Sequence, residues 1–311
     1  MKIVFLDAKS VGEDIDLSKF QLLGEFVTYD YTAYEQISER ATDAEILITN
    51  KCLINEKTIG KADNLKLVCI TATGTNNLDK EYLASRGIAW RNVAGYSTES
   101  VAQHTFAMLF YLLEKLDYYN SYVKDGKYAN DTSFTHFEER FHEICGKTWG
   151  IVGLGNIGRR VADIAKVFGA NVVYYSTTGK NTQEGYKRVD FDTLLTTSDI
   201  ISVHAPLTPE TEGLMDAQAF AKMKPSAIFL NAGRGAIVKE ADLTTALENN
   251  VIAAAGLDVL CEEPMNPNSP FLRFQDSKRL LITPHIAWAS VEARTRLMDI
   301  IYGQIQEFIA Q

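Results

Sequence analysis

WGIVGLGNIG, residues 149–158, is the stretch that decides how this chain folds. Glycines at 153, 155 and 158 make a GxGxxG, a pattern that carries little when it stands alone. Here the apolar run 149–152 leads into it, and Val161, Ile164, Ala165 and Phe168 follow at helical spacing. The spacing predicts a buried strand, a tight turn and an amphipathic helix. Gly153 permits the turn, Gly155 lets the backbone approach a pyrophosphate, and Gly158 lets the helix pack close to the strand. The first amides of that helix, at Asn156, Ile157 and Gly158, then sit at the positive end of its dipole, where a phosphate is favoured.

The same alternation of apolar run and amphipathic stretch extends in both directions. Runs occur at 3–6, 44–49, 65–71, 149–152, 172–175, 200–203, 227–230, 253–257 and 280–282. Such alternation predicts the α/β class, with parallel sheets and helical crossovers. A chain of 311 residues exceeds the ordinary size of one hydrophobic core, so two domains are expected. A single helix is predicted over 98–123, with Ser97 and Thr98 as N-cap residues and Glu99 in the first turn, and a domain boundary is placed at Ser97. The segment 124–147 loses clean periodicity and mixes aromatic with charged residues, which suits a subunit contact or a solvated loop.

Composition narrows the function. The net charge of −9 argues against nucleic-acid or anionic-membrane partners, and an anionic substrate would need a local cation. No stretch approaches the roughly 18 apolar residues that suggest a membrane span. The apolar run after Met1 is too short for a signal-peptide core. Cys52, Cys69, Cys145 and Cys261 form no CxxC pair and no metal-ligand spacing. Reduced thiols, no metal and a cytoplasmic location are therefore expected.

In doubly wound sheets, ligands gather beyond the carboxyl ends of the strands. The run 172–175 ends on STTGK, residues 176–180, where a carboxylate for the adenosine ribose would be expected. Its absence removes the repulsion against a 2′-phosphate, and Ser176, Thr177, Thr178 and Lys180 offer hydrogen bonds or charge. No arginine is present in that run, so NAD and NADP both remain open. Further strand ends carry His204, Asn231 and Arg234, Asp258 with Glu262 and Glu263, and His285. Reduction of a ketone by hydride needs a proton for the developing alkoxide, which histidine supplies near neutral pH. A carboxylate on the other ring nitrogen fixes the tautomer. An arginine polarises the carbonyl and holds a substrate carboxylate by its fork.

With these residues in view the sequence resembles the D-isomer-specific 2-hydroxyacid dehydrogenase family over essentially its full length. The matching segments are TGTNN at 73–77, GLGNIG at 153–158, HAPL at 204–207, NAGRG at 231–235, GLDV at 256–259 with Glu263 and Pro264, and TPHI at 283–286. The resemblance implies His285 as acid and base, Glu263 as its carboxylate partner and Arg234 as the clamp on carboxylate and carbonyl. It implies Asp258 against the nicotinamide carboxamide, and the amides of Gly74 and Thr75 around the substrate carboxylate. His204, Pro206 and Ala232 are expected beside the cofactor and Trp288 beside the substrate. It also implies a Rossmann nucleotide-binding domain, 98–285, inserted in a flavodoxin-like substrate domain formed by 1–97 and 286–311, and a homodimer. Residues 97–104 and 285–290 most resemble glycerate dehydrogenases, also called hydroxypyruvate reductases. A D-lactate-type or broad 2-keto acid reductase is the neighbouring expectation, and an NAD(H)-sensing corepressor the expectation from another class.

Overall fold

The computed structural model describes residues 1–180, 185–275 and 278–311. The chain divides into two compact units, Met1–Ser97 with Ala289–Gln311, and Thr98–Trp288.

The first unit holds β1 (Lys2–Phe5), β2 (Glu25–Thr28), β3 (Ile46–Thr49), β4 (Leu67–Ile70) and β5 (Ala89–Arg91). They pair in parallel in the order β2-β1-β3-β4-β5, the flavodoxin-like order. β3 and β4 are buried at every position, as strands covered on both faces must be, and their sequences are accordingly continuous apolar runs. β2 and β5 lie at the edges and are partly exposed, so no such run marks them. The long helix Val291–Ile309 returns to this unit and is capped by the Ser290 hydroxyl, which accepts from Ala293 N at 3.2 Å. Its buried stripe includes Leu297, Met298, Ile301 and Ile305, each contributing about 1.5–3 kcal/mol on burial. Arg294 Nη2 on Asp14 Oδ2 at 2.9 Å and Gln304 Nε2 on Asn92 O at 2.9 Å fix its register.

The second unit holds β6 (Thr148–Val152), β7 (Asn171–Tyr175), β8 (Lys187–Arg188), β9 (Ile200–Val203), β10 (Ile228–Asn231), β11 (Ala254–Leu257) and β12 (Leu280–Ile282). The order is β12-β11-β10-β9-β6-β7-β8, again parallel throughout. From β6 the chain runs outward through β7 to β8, then crosses back to β9 on the other side of β6. The carboxyl ends of β6 and β9 therefore frame the switch point where such sheets bind ligands. Alternate strand residues feed two cores. Ile201, Phe229 and Ala255 belong to one face, while Ile151, Ile200, Leu230 and Ala254 belong to the other with Phe106, Leu109 and Leu112.

The single helix expected over 98–123 is two helices, Thr98–Leu113 and Leu116–Lys124. Lys115 between them is left-handed, with φ of 53°. The break falls where the buried stripe ends. The first helix buries Val101, Ala102, Thr105, Phe106, Met108, Leu109 and Leu112, whereas the second buries no residue and presents Tyr118, Tyr119 and Tyr122 to His136 instead.

Candidate active site

The turn after β6 has the geometry its sequence predicts. Gly153 has φ of +90°, and a Cβ there would lie 2.8 Å from the Ala205 backbone. One on Gly158 would lie 2.3 Å from Gly153 O, so strand and helix touch at the main chain. A Cβ on Gly155 meets nothing within 4 Å, which leaves open space above the start of the helix Asn156–Val167. No side chain caps that helix, and the Asn156 amide oxygen is instead engaged by Arg159 Nη2 at 2.6 Å. Open space, uncapped amides and a dipole end together fit the pyrophosphate of a dinucleotide.

Ser176 directly follows β7. Its side chain is buried, and its Oγ has no partner among the described residues. Ser176 O accepts from Gly179 N at 3.2 Å, which closes a turn bearing Thr177 and leading to the exposed Lys180. After β9, His204 N donates to Val152 O at 2.9 Å, tying the two sides of the switch point together. Burial pushes the His204 imidazole down to about 3, so the ring is neutral at ordinary pH. Its Nε2 lies 3.0 Å from Ser202 Oγ, while Nδ1 is buried without a partner among the described residues. Pro206 follows, its carbonyl accepting from Thr211 Oγ1 at 2.7 Å.

The chemical groups stand at the ends of three adjacent strands. Beyond β10, the Asn231 side chain shapes the turn through Ala232: its Nδ2 donates to Arg234 O at 3.0 Å and its Oδ1 accepts from Gly233 N at 3.0 Å. Arg234 is thereby carried outward and exposed, with Nη1 on Gly233 O at 2.8 Å. Beyond β11, Glu263 Oε1 accepts from Leu260 N at 3.0 Å. Its Oε2 lies 2.6 Å from His285 Nδ1. Glu262 turns away and accepts from Asn266 Nδ2 at 2.8 Å.

Beyond β12, His285 occupies the left-handed region with φ of 55°, uncommon for a residue other than glycine. Such a backbone costs of order 1–3 kcal/mol and persists only where its surroundings impose it. Here they do. His285 N donates to Asp258 O at 2.8 Å. The 1%-exposed Asp258 carboxylate accepts from Ile286 N at 2.9 Å, Ala287 N at 2.8 Å and Thr283 Oγ1 at 2.6 Å. His104, from the helix Thr98–Leu113, reaches the same Thr283 hydroxyl at 2.9 Å. Asp258 thus holds the loop that presents His285. Thr283 and His104 join it, and neither was singled out from the sequence for this part. Both fall in segments that carry the family resemblance, and a contact across 179 residues brings them together.

The unit Thr98–Trp288 carries all the expected residues except two, with Trp288 as its last residue. Gly74 and Thr75 belong to the other unit, in the loop after β4, where Leu78 N donates to Thr75 O at 3.1 Å. Among the described residues no group of His, Cys, Asp or Glu is placed to hold a metal ion, and no helix is long and apolar enough to cross a membrane.

Comparison with known proteins matches residues 106–287 to the model of the D-isomer specific 2-hydroxyacid dehydrogenase NAD-binding domain. Over 99% of its length the chain is 37% identical to a hydroxypyruvate reductase of Blautia hydrogenotrophica, covering 97% of that protein. It is 36% identical to a glycerate dehydrogenase of Methylorubrum extorquens, across 99% of this chain and 96% of that one. Among solved structures, an acyclic imino acid reductase in complex with NADPH and D-Arg superposes with a TM-score of 0.87 at 30% identity, covering 100% of this chain and 98% of the other.

Proposed function

This chain belongs to the D-isomer-specific 2-hydroxyacid dehydrogenase family, and we propose that it reduces hydroxypyruvate or glyoxylate to the corresponding 2-hydroxy acid, with His285 as proton donor. The observation that carries this reading is the 2.6 Å contact between Glu263 and His285 on strand ends beside that of Arg234, in the unit that bears the nucleotide turn. The bound nicotinamide supplies the hydride. Glu263 accepts from Nδ1–H and stabilises the imidazolium form, whose Nε2–H gives its proton to the carbonyl oxygen and leaves the neutral Nδ1–H ring. Arg234 polarises that carbonyl and pairs with the substrate carboxylate through its planar fork. Gly153, Gly155, Asn156, Ile157 and Gly158 would hold the pyrophosphate, and His204, Pro206, Ala232 and Asp258 would contact the rest of the cofactor. We read the unit formed by Met1–Ser97 and Ala289–Gln311 as the substrate domain, and we take the Gly74 and Thr75 amides and the Trp288 side chain as substrate-binding groups.

We place the enzyme in the cytoplasm as a homodimer. Phe134 at 87%, Phe137 at 80% and Phe141 at 54% exposure crowd the segment after Leu116–Lys124, and this apolar surface supports a contact with a second copy. The deciding experiment is oxidation of NADH and NADPH against hydroxypyruvate, glyoxylate and pyruvate. Turnover fastest with either of the first two supports the reading. Preference for pyruvate favours a D-lactate-type enzyme, and tight NADH binding without turnover a sensor.

A further inference from the structure

The turn at Ser176 contains no arginine, yet the fold delivers one to it. Strand β8 lies on the outer side of β7 with Tyr174 opposite Arg188, twelve residues downstream of Ser176 in the chain. Arg188 Nη1 donates to Gly179 O at 2.9 Å, and Gly179 N closes the turn onto Ser176 O. The guanidinium lies along the turn, since a Cβ built on Gly179 would stand 3.7 Å from Nη2. The same turn starts at Ser176, whose buried hydroxyl has no partner among the described residues, and leads to the exposed Lys180. No carboxylate among the described residues pairs with Arg188.

We propose that Arg188 recognises a 2′-phosphate on the adenosine ribose, so that this chain prefers NADP(H) to NAD(H). The proposal rests on reading this unit as the dinucleotide-binding domain. Hydroxyls at Ser176 and Thr177 hydrogen-bond a bare ribose as well as a phosphorylated one, and they discriminate little. A phosphate monoester carries about two negative charges at neutral pH, and an arginine fork matches its oxygens in geometry as well as in sign. The contact from Arg188 to Gly179 O uses one Nη1 hydrogen and orders the group in advance, which lowers the entropy lost on binding.

The test is calorimetric titration of the full chain with two fragments, 5′-AMP and 2′,5′-ADP, without substrate or turnover. Wild type should bind 2′,5′-ADP tighter by roughly 10- to 100-fold, the range given by hydrogen bonds to charged groups. Arg188→Ala should bring the two affinities together while leaving that for 5′-AMP unchanged, which also shows that the variant is folded. Arg188→Lys should fall between, keeping the charge and losing the fork. Equal binding by wild type, or an undiminished preference in Arg188→Ala, overturns the proposal. If wild type binds neither fragment, the dinucleotide reading itself fails, and this inference falls with it.

Discussion

The substitution Gly235→Ala isolates the spacing between the arginine turn and the glutamate loop. A Cβ on Gly235 would sit 1.9 Å from the carbonyl carbon and oxygen of Leu260 and 2.4 Å from Cys261 N. Ordinary contact begins at 3.4 Å, so the two segments must part by about 1.5 Å. All the atoms in the way are backbone, and no side chain can swing aside. One side of the gap carries Arg234. The other carries Glu263, held through Leu260 N at 3.0 Å and touching His285 at 2.6 Å. Overpacking of this kind costs roughly 1–3 kcal/mol of stability. A misplacement near 1 Å costs about 100-fold in rate. Steady-state kinetics on the preferred 2-keto acid should therefore show kcat/KM reduced by about two orders of magnitude. Binding of 5′-AMP, which reads the distant glycine turn, should be unchanged. Gly303→Ala is the control: it lies in the helix Val291–Ile309, its Cβ meets nothing within 4 Å, and helix propensity predicts a gain of up to about 1 kcal/mol. Wild-type kcat/KM in Gly235→Ala would refute the claim that this spacing positions the catalytic pair.

Other substitutions separate the remaining roles. His285→Ala should lower kcat by roughly 10²–10⁴-fold with NADH binding close to wild type, and undiminished turnover across the pH range would remove it as proton donor. Arg234→Lys should raise KM and lower kcat together, because one fork serves carboxylate and carbonyl; normal kinetics would place it outside the site. Asp258→Ala strands the Ile286 and Ala287 amides, of which Ala287 is buried, at about 1–3 kcal/mol for each buried donor left unpaired, so the melting temperature and kcat should fall together. Ser176→Asp should shift the ratio of kcat/KM toward NADH by like-charge repulsion, and an unmoved ratio would show that Ser176 does not face the ribose.

What the sequence disclosed followed burial. The interior strands of both sheets are covered on two faces, and each appears as an apolar run within a residue or two of its observed bounds. Of the four edge strands β12 carries an apolar run, at 280–282, whereas β2, β5 and β8 carry none and went unseen, because an edge strand can do without one. β8 consists of Lys187 and Arg188 alone, both exposed, with nothing in pattern or propensity to mark a strand. The arginine absent from residues 176–180 is for that reason present in space and invisible in the local sequence. The break at Lys115 was hidden for a related cause: apolar and aromatic residues continue through Val123 at helical spacing, but after Leu113 none of them is buried. The candidate chemical residues could be picked out because ligands of such sheets gather at strand ends, which reduces a long chain to a few short loops. Which atoms hold those loops was not legible, since the Thr283–His104 and Asp258–Ala287 contacts join distant segments.

The charge balance of the site follows from the same confinement. A net charge of −9 would oppose an anionic substrate and an anionic cofactor if it acted as a whole. At physiological ionic strength the Debye length is about 8 Å, so exposed charges beyond that distance are largely screened. The field at the candidate site is therefore set locally, by Arg234 beyond β10, Lys180 and Arg188 at the turn after β7, and the uncapped amides above β6. The acidic groups within the site are each engaged. Glu263 is spent on His285 and Leu260 N, and Asp258 on two amides and the Thr283 hydroxyl. A carboxylate that already accepts hydrogen bonds from fixed donors repels an incoming anion less than a bare one, because those dipoles offset its field. An acidic protein can thus present positive sites to its ligands without a basic surface, and the same donors that quiet the carboxylates hold His285 in its strained backbone.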